Sequence, residues 1–249
     1  MTYGRVIVKL QDKVVIVTGG GSGAGAAIVA SFVAEGAHVV AIGRDEKKLA
    51  AACAAAGDHA RAAAGDVTDR ERMQQIVDDT IGEFGRIDIL VNNAGINISD
   101  RTLEKLTPDD WDRVMDINAT GAYNTIHAVL PHMRTQQDGV VIAVSSMAGC
   151  APSVLGGVAY SAAKHAMSVV TKMVDLEEAK HGIRACVVSP GEINTPILDQ
   201  RPVKVTDERK ARMLQPEDIA HTVMFVATLP PRVVIEEMII KPRGQGSVT

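Results

Sequence analysis

The sequence predicts an α/β fold, a doubly wound parallel β-sheet with helices on both faces, in a single domain. Short β-branched runs are apolar throughout, as strands covered on both faces require. Longer amphipathic stretches alternate with them, which places crossover helices on the two faces of the sheet. A glycine-rich loop joins the first run to the first helix. The chain has 249 residues, 46% of them hydrophobic, enough for one sizeable core.

Val14 to Val17 is the first predicted strand, and Gly23 to Glu35 the first helix, stopped at Gly36. Val39 to Ile42 is the next strand. Thr68 with Glu71 reads as a capping box opening a helix to about Phe84. Ile87 to Val91 reads as a strand, and Thr107 with Pro108 opens another helix. Val140 to Val144 and Arg184 to Val188 are strands flanking a helix from Ala159 to Lys180. That helix is apolar at Ala163, Ala166, Val170, Met173 and Val174, and Gly182 closes it. A helix from Glu217 to Ala227 and a strand from Val233 to Ile240 finish the domain. Residues 1–242 make up the domain, and 243–249, polar and glycine-containing, read as a flexible C-terminal tail. About 196–214 lacks a clean period and reads as a substrate lid, where Arg201 and Lys204 are candidates to meet an acidic substrate.

Net charge is -4 and basic residues are scattered, so no nucleic-acid partner is expected. No apolar stretch has the length of a membrane span, and no secretory leader is evident. Three widely spaced cysteines, Cys53, Cys150 and Cys186, make neither a metal-ligand pattern nor a disulfide framework. A cytoplasmic protein with reduced thiols and no metal is the expectation.

Thr18-Gly19-Gly20-Gly21-Ser22-Gly23-Ala24-Gly25 lies between a strand and a helix. Glycines there allow a tight turn and let backbone N–H groups approach a pyrophosphate at the helix N-terminus. The strand before it and the helix after it make this a dinucleotide-binding, Rossmann-type signature. The second strand ends at Gly43, where an acidic residue would bind the ribose hydroxyls of NAD. Arg44 follows and suits a 2′-phosphate, so NADP(H) is favoured, with NAD(H) as the alternative cofactor.

Tyr160 and Lys164 are i and i+4 on one helix face. A free tyrosine has a pKa near ~10, and a neighbouring ammonium lowers it. A tyrosine so tuned exchanges a proton with a carbonyl or alcohol oxygen near neutral pH. Ser145 and Ser146 follow a buried strand at the end where ligands gather. Strand alternation lets one of the two face the site.

Together these pieces resemble a short-chain dehydrogenase/reductase of the single-domain type with the Tyr-x-x-x-Lys signature. The likeness runs from about Leu10 to about Pro242. It rests on Thr18 to Gly25, Asp66-Val67, Asn92-Asn93-Ala94-Gly95, Asn118, Ser146, Tyr160 with Lys164, and Pro190-Gly191 followed by Thr195. The resemblance implies Asn118, Ser146, Tyr160 and Lys164 as catalytic residues, with Ser146 chosen over Ser145 because Gly149 completes Ser-x-x-Gly. Asn118 would bend its helix and hold a water linked to Lys164. For the cofactor it implies Gly19, Gly21, Ser22, Gly23, Ala24, Gly25 and Arg44 around the phosphates. Asp66 and Val67 would border the adenine, and Asn92, Ala94 and Gly95 the ribose. Tyr160, Lys164, Pro190, Gly191, Ile193 and Thr195 would lie around the nicotinamide.

The expected activity is interconversion of an alcohol and a carbonyl by hydride transfer, on a small-molecule substrate, in a homodimer or homotetramer. A 3-oxoacyl-carrier-protein reductase is the competing enzyme reading. A non-catalytic NADP(H)-sensing regulator is the reading from another class, disfavoured because tyrosine and lysine are both present.

Overall fold

The computed structural model of the chain describes residues 10–246. In chain order the elements are β1 (Val14–Thr18), α1 (Gly23–Ala34), β2 (His38–Gly43), α2 (Glu46–Ala56), β3 (Ala60–Ala64), α3 (Arg70–Phe84) and β4 (Ile89–Asn92). They continue with α4 (Pro108–Met115), α5 (Gly121–Gln136), β5 (Gly139–Val144), α6 (Val158–Glu178), β6 (Ile183–Pro190), α7 (Asp207–Lys210), α8 (Pro216–Ala227) and β7 (Glu237–Ile240). All seven strands pair in parallel, in the order β3-β2-β1-β4-β5-β6-β7. The doubly wound sheet expected from the sequence is therefore present.

Strand order reverses between β1 and β4, which pair Val15 with Ile89 and Val17 with Val91. Crossovers from these neighbours leave on opposite faces, so their carboxyl ends open a crevice, the usual ligand position in such sheets. Alternation along the strands builds a core on each face. Val15, Val17 and Ile142 pack with Ile28 and Phe32 of α1 and Ile219 and Val223 of α8. Ile16, Val40 and Leu90 pack on the other face with Met73 and Ile76 of α3 and Ile126 and Met133 of α5.

The far end of the sheet is tied by charge. Buried Asp88, just before β4, accepts hydrogen bonds from Lys13 Nζ at 2.7 Å, Val14 N at 2.9 Å and Arg86 Nε at 2.8 Å. Burial pushes its carboxyl pKa up, but the bonds from Arg86, Lys13 and Val14 outweigh that and leave it below the usual carboxylate value.

Several boundaries differ from the sequence reading. The α3 cap is Asp69, whose side chain accepts from Arg72 N, whereas Thr68 turns back to Asp66. β4 starts at Ile89 rather than Ile87, and β7 at Glu237 rather than Val233. α2, β3 and α5 were not foreseen as elements. The α4–α5 junction is a π-helical turn over Asp116–Thr120, and Asn118 sits within it. Of the C-terminal segment read as a tail, Gln245 Oε1 accepts from Glu192 N at 3.0 Å; residues 247–249 lie outside the described residues.

Candidate active site

The crevice at the β1/β4 switch is built largely from backbone. Thr18 Oγ1 accepts from both Asn93 N and Ala94 N at 3.0 Å, and Asn93 Nδ2 donates to Thr18 O at 3.0 Å. These bonds lock the glycine loop to the chain leaving β4. A Cβ on Gly25 would collide with Gly19 O, so only glycine lets α1 start this close to the loop. The first turn of α1 carries no acidic residue, leaving its positive end clear for an anion.

Two adjoining cavities, of about 560 and 430 Å³, run along this loop and share Gly19, Ser22, Arg44, Ala94, Gly95 and Ile96. The first reaches Gly21, Asp66 and Val67; the second reaches Gly23, Ala24, Gly25, Tyr160, Lys164, Ile193 and Thr195. The shape and the glycine cradle fit a dinucleotide lying across the switch point. Arg44 is 60% exposed and stands 3.6 Å from Asp66 Oδ2. Asp45, the nearest acid on the chain, is spent as the α2 cap, accepting from Lys48 N at 3.0 Å. Asp66 Oδ1 is likewise engaged, by Thr68 N and Oγ1 at 3.0 and 2.9 Å.

At the other end, α6 carries Tyr160 and Lys164 toward the tip of β5. Lys164 is 3% exposed, and its Nζ donates to Val144 O at 2.9 Å. Burial lowers its pKa to about 8. Its Nζ lies 5.8 Å from the centroid of the Tyr160 ring. Burial pushes the Tyr160 phenol above its ordinary value of 10.0, against a hydrogen bond from Ser146 and the positive charge of Arg101. Arg101, which carries no sequence signal of its own, thus adds its positive charge to the surroundings of this phenol.

The two serines divide as alternation requires. Ser145 Oγ turns to α6, meeting Ser168 Oγ at 2.9 Å and donating to Lys164 O at 3.2 Å. Ser146 Oγ accepts from Ala148 N at 3.1 Å and stands beside Tyr160. The Asn118 amide is tied to backbone: Nδ2 donates to Val114 O at 2.8 Å and Ile96 O at 3.0 Å, and Oδ1 accepts from Ile96 N at 3.2 Å. Gly95 lies between it and the lysine. A Cβ there would come within 2.6 Å of Asn118 Oδ1 and 3.3 Å of Lys164 Nζ.

Comparison with known proteins agrees with this fold. The family model for short chain dehydrogenases matches residues 13–205. The chain belongs to the short-chain dehydrogenase family. An uncharacterized oxidoreductase of Staphylococcus saprophyticus is 36% identical over 240 residues, covering 95% of this chain and 100% of the relative. The crystal structure of a 3-ketoacyl-(acyl-carrier-protein) reductase from Brucella melitensis, complexed with NADH, superposes with a TM-score of 0.86. It is 28% identical, over 93% of this chain and 98% of that one. A metagenomic short-chain oxidoreductase in complex with NADP gives a TM-score of 0.81 at 29% identity, over 96% of this chain and 100% of that one.

This short-chain dehydrogenase has a third, smaller cavity of about 140 Å³ beyond Tyr160 and Ser146. Pro190, Gly191, Ile193 and Gln245 form part of its wall. Two predicted residues stand away from these cavities. Asn118 is held as described, and Asn92 is buried against α5, with Nδ2 donating to Ala122 O at 3.1 Å and Oδ1 accepting from Thr125 Oγ1 at 2.5 Å. Residues 196–214 form a short 3-10 turn and α7, and from them Ile197, Leu198 and Arg201 line the small cavity. Glu192 ties them down, accepting from Arg201 and Arg209 at 2.8 Å each. The sequence reading passed over Arg101, Asn97 and Lys48. Lys48 lies one helical turn past Asp45 and lines the first cavity. Arg101 and Asn97 lie in the loop after β4, where no periodicity marks an inward residue.

Proposed function

We propose that the protein interconverts an alcohol and a carbonyl by hydride exchange with NADP(H), Tyr160 acting as acid in reduction and as base in oxidation. One observation carries this reading: Tyr160 lines both the small cavity and the Lys164 end of the glycine-loop crevice. A carbonyl in the first would meet a dinucleotide in the second at that phenol. The NADH and NADP held by the two structural neighbours support a nicotinamide dinucleotide as the crevice ligand.

A bound nicotinamide dinucleotide supplies or accepts the hydride. Ser146 Oγ accepts from Ala148 N, and its one O–H, directed at the Tyr160 phenol, turns to donate to the substrate oxygen. Tyr160 delivers its proton to that oxygen as negative charge grows there. With a pKa of about 8, Lys164 is mostly protonated at neutral pH, and its charge favours the phenolate left behind. Asn118 is a positioning residue: it braces the chain at Ile96 beside Lys164.

NADP(H) preference rests on charge. β2 ends at Gly43, without a carboxylate, and Arg44 and Lys48 line the adenosine cavity. A 2′-phosphate placed there gains charge-assisted bonds that a ribose hydroxyl does not. A homodimer or homotetramer would cover the exposed Tyr123 of α5 and Val169 and Met173 of α6. A panel of carbonyls and alcohols run with NADPH/NADP and NADH/NAD tests the reading. We expect turnover on part of the panel and a kcat/KM roughly tenfold higher with the phosphorylated cofactor, the worth of one charged hydrogen bond. Tight dinucleotide binding without oxidation of either cofactor would overturn the activity; equal use of both would overturn the preference.

A further inference from the structure

The small cavity carries a charge that the reduction of a plain ketone does not need. Arg101, in the loop between β4 and α4, lines it beside Ser146 and Tyr160 and is only 7% exposed. Nη1 donates to Leu155 O at 2.9 Å, and Nη2 donates to Gln200 O. Both acceptors are neutral carbonyls. Nε is the buried side-chain nitrogen left with no hydrogen-bond partner among the described residues. An uncompensated buried cation is costly, and burial together with Arg201 pushes the Arg101 pKa down. The other cation of the cavity differs. Arg201 is 11% exposed on its side chain and already paired with Glu192 at 2.8 Å. Lys204, the other basic lid residue, is exposed and does not line the cavity.

We propose that Arg101 binds the carboxylate of the substrate, so that the enzyme acts on small oxo acids and their hydroxy-acid counterparts. The inference rests on the alcohol/carbonyl reading above and names its substrate class. A guanidinium takes a carboxylate in a two-point fork, and the free Nε–H is one prong of such a fork. Leu155 and Gln200 hold the group by its Nη atoms and aim it, so it is organised before the ligand arrives. A cavity of about 140 Å³ is well below the ~300–1,000 Å³ of pockets for drug-sized ligands, which suits an acid of a few carbons. In reduction the carbonyl carbon takes the hydride from the nicotinamide dinucleotide, the oxygen takes the Tyr160 proton, and the carboxylate passes through unchanged.

The test compares acids with their methyl esters. 2-Oxobutanoate, 3-oxobutanoate and the ester of each are assayed with NADPH and NADH, on the wild type, Arg101→Met and Arg101→Lys. Propanoate binding to the NADP-loaded protein is measured by calorimetry alongside. We expect at least one acid to exceed its ester in kcat/KM by about 10²-fold, the worth of a charged hydrogen bond in a buried site. That ratio should fall close to one in Arg101→Met and lie between in Arg101→Lys. Propanoate should bind the wild type and not Arg101→Met. The ratio is the readout because Arg101 also holds two loops and acts on Tyr160, effects that touch acid and ester alike. Equal kcat/KM for acid and ester in the wild type, or a Met variant that loses both in the same proportion, would overturn the proposal. If Arg101→Met fails to bind NADP, and so has not folded, the wild-type ratio and the Lys variant decide. Should no carbonyl turn over, the oxidoreductase reading fails, and propanoate binding alone decides Arg101: binding that depends on it upholds a carboxylate site, and none refutes it.

Discussion

The two ends of the crevice are made from different materials. The dinucleotide end is backbone: a glycine loop, a helix start and hydrogen bonds through Thr18 and Asn93, with a half-open rim at Arg44. The Tyr160 end is buried side chain, where burial moves the pKa values of Tyr160, Lys164 and Arg101 and the charges of Tyr160 and Arg101 act on each other. Backbone N–H groups recognise a phosphate with little dependence on pH. Buried ionisable groups do chemistry, and their charge states depend on where they are buried. Substitutions at the first end should therefore act on binding, and those at the second on rate and pH profile.

Lys164→Met should break the second end most severely after Tyr160 itself, lowering kcat by about 10²–10⁴-fold, the range for loss of acid–base support. In the wild type, kcat/KM for NADPH reports the free enzyme. Because burial lowers the lysine pKa to about 8, that parameter should be flat below pH 8 and fall above it as the ammonium loses its proton. The break should vanish in the Met variant. At the first end, Gly25→Ala should raise the dinucleotide Kd at least about tenfold, since the new Cβ meets Gly19 O and forces the loop away from its hydrogen-bonded geometry. Titration by fluorescence reads it. Arg44→Ala is milder: KM for NADPH should rise roughly tenfold and KM for NADH hardly at all.

The smallest effect on activity is expected at Asp88, remote from both ends. Asp88→Asn should cost about 3–5 kcal/mol of stability, as for a broken buried ion pair, with kcat unchanged below the melting range. The depressed Asp88 pKa makes its stabilisation complete above the unfolded carboxylate value near ~3.9, and lost as pH falls through the lower folded value. Acid unfolding of the wild type should show that limb, and the Asn variant should not.

The contrast between the ends also explains what could be read in advance. β1, β2 and β5 are β-branched and stand out; β3 reads Ala-Arg-Ala-Ala-Ala and carries no strand signal of its own, taking its form from pairing with β2. The glycine loop and the Tyr160/Lys164 pair are local in sequence, so spacing and flanking elements exposed them. Thr68 with Glu71 has the spacing of a capping box, but Asp66 captures the Thr68 hydroxyl and Asp69 caps the helix. Asn92 shares a motif with Ala94 and Gly95, yet strand alternation turns it into the protein toward Thr125. Arg101 was invisible because its meaning is tertiary: its partners Leu155 and Gln200 lie 54 and 99 residues away. A lone loop arginine reads as solvated until those contacts bury it.

Tyr160→Phe tests the central claim most directly, with turnover and dinucleotide affinity measured on the same preparation. The substitution removes the phenolic hydroxyl and keeps the ring. Hydride transfer should drop by at least about 10²–10⁴-fold while the Kd for NADPH stays at the wild-type value. Near-normal turnover in that variant would contradict Tyr160 as the acid/base.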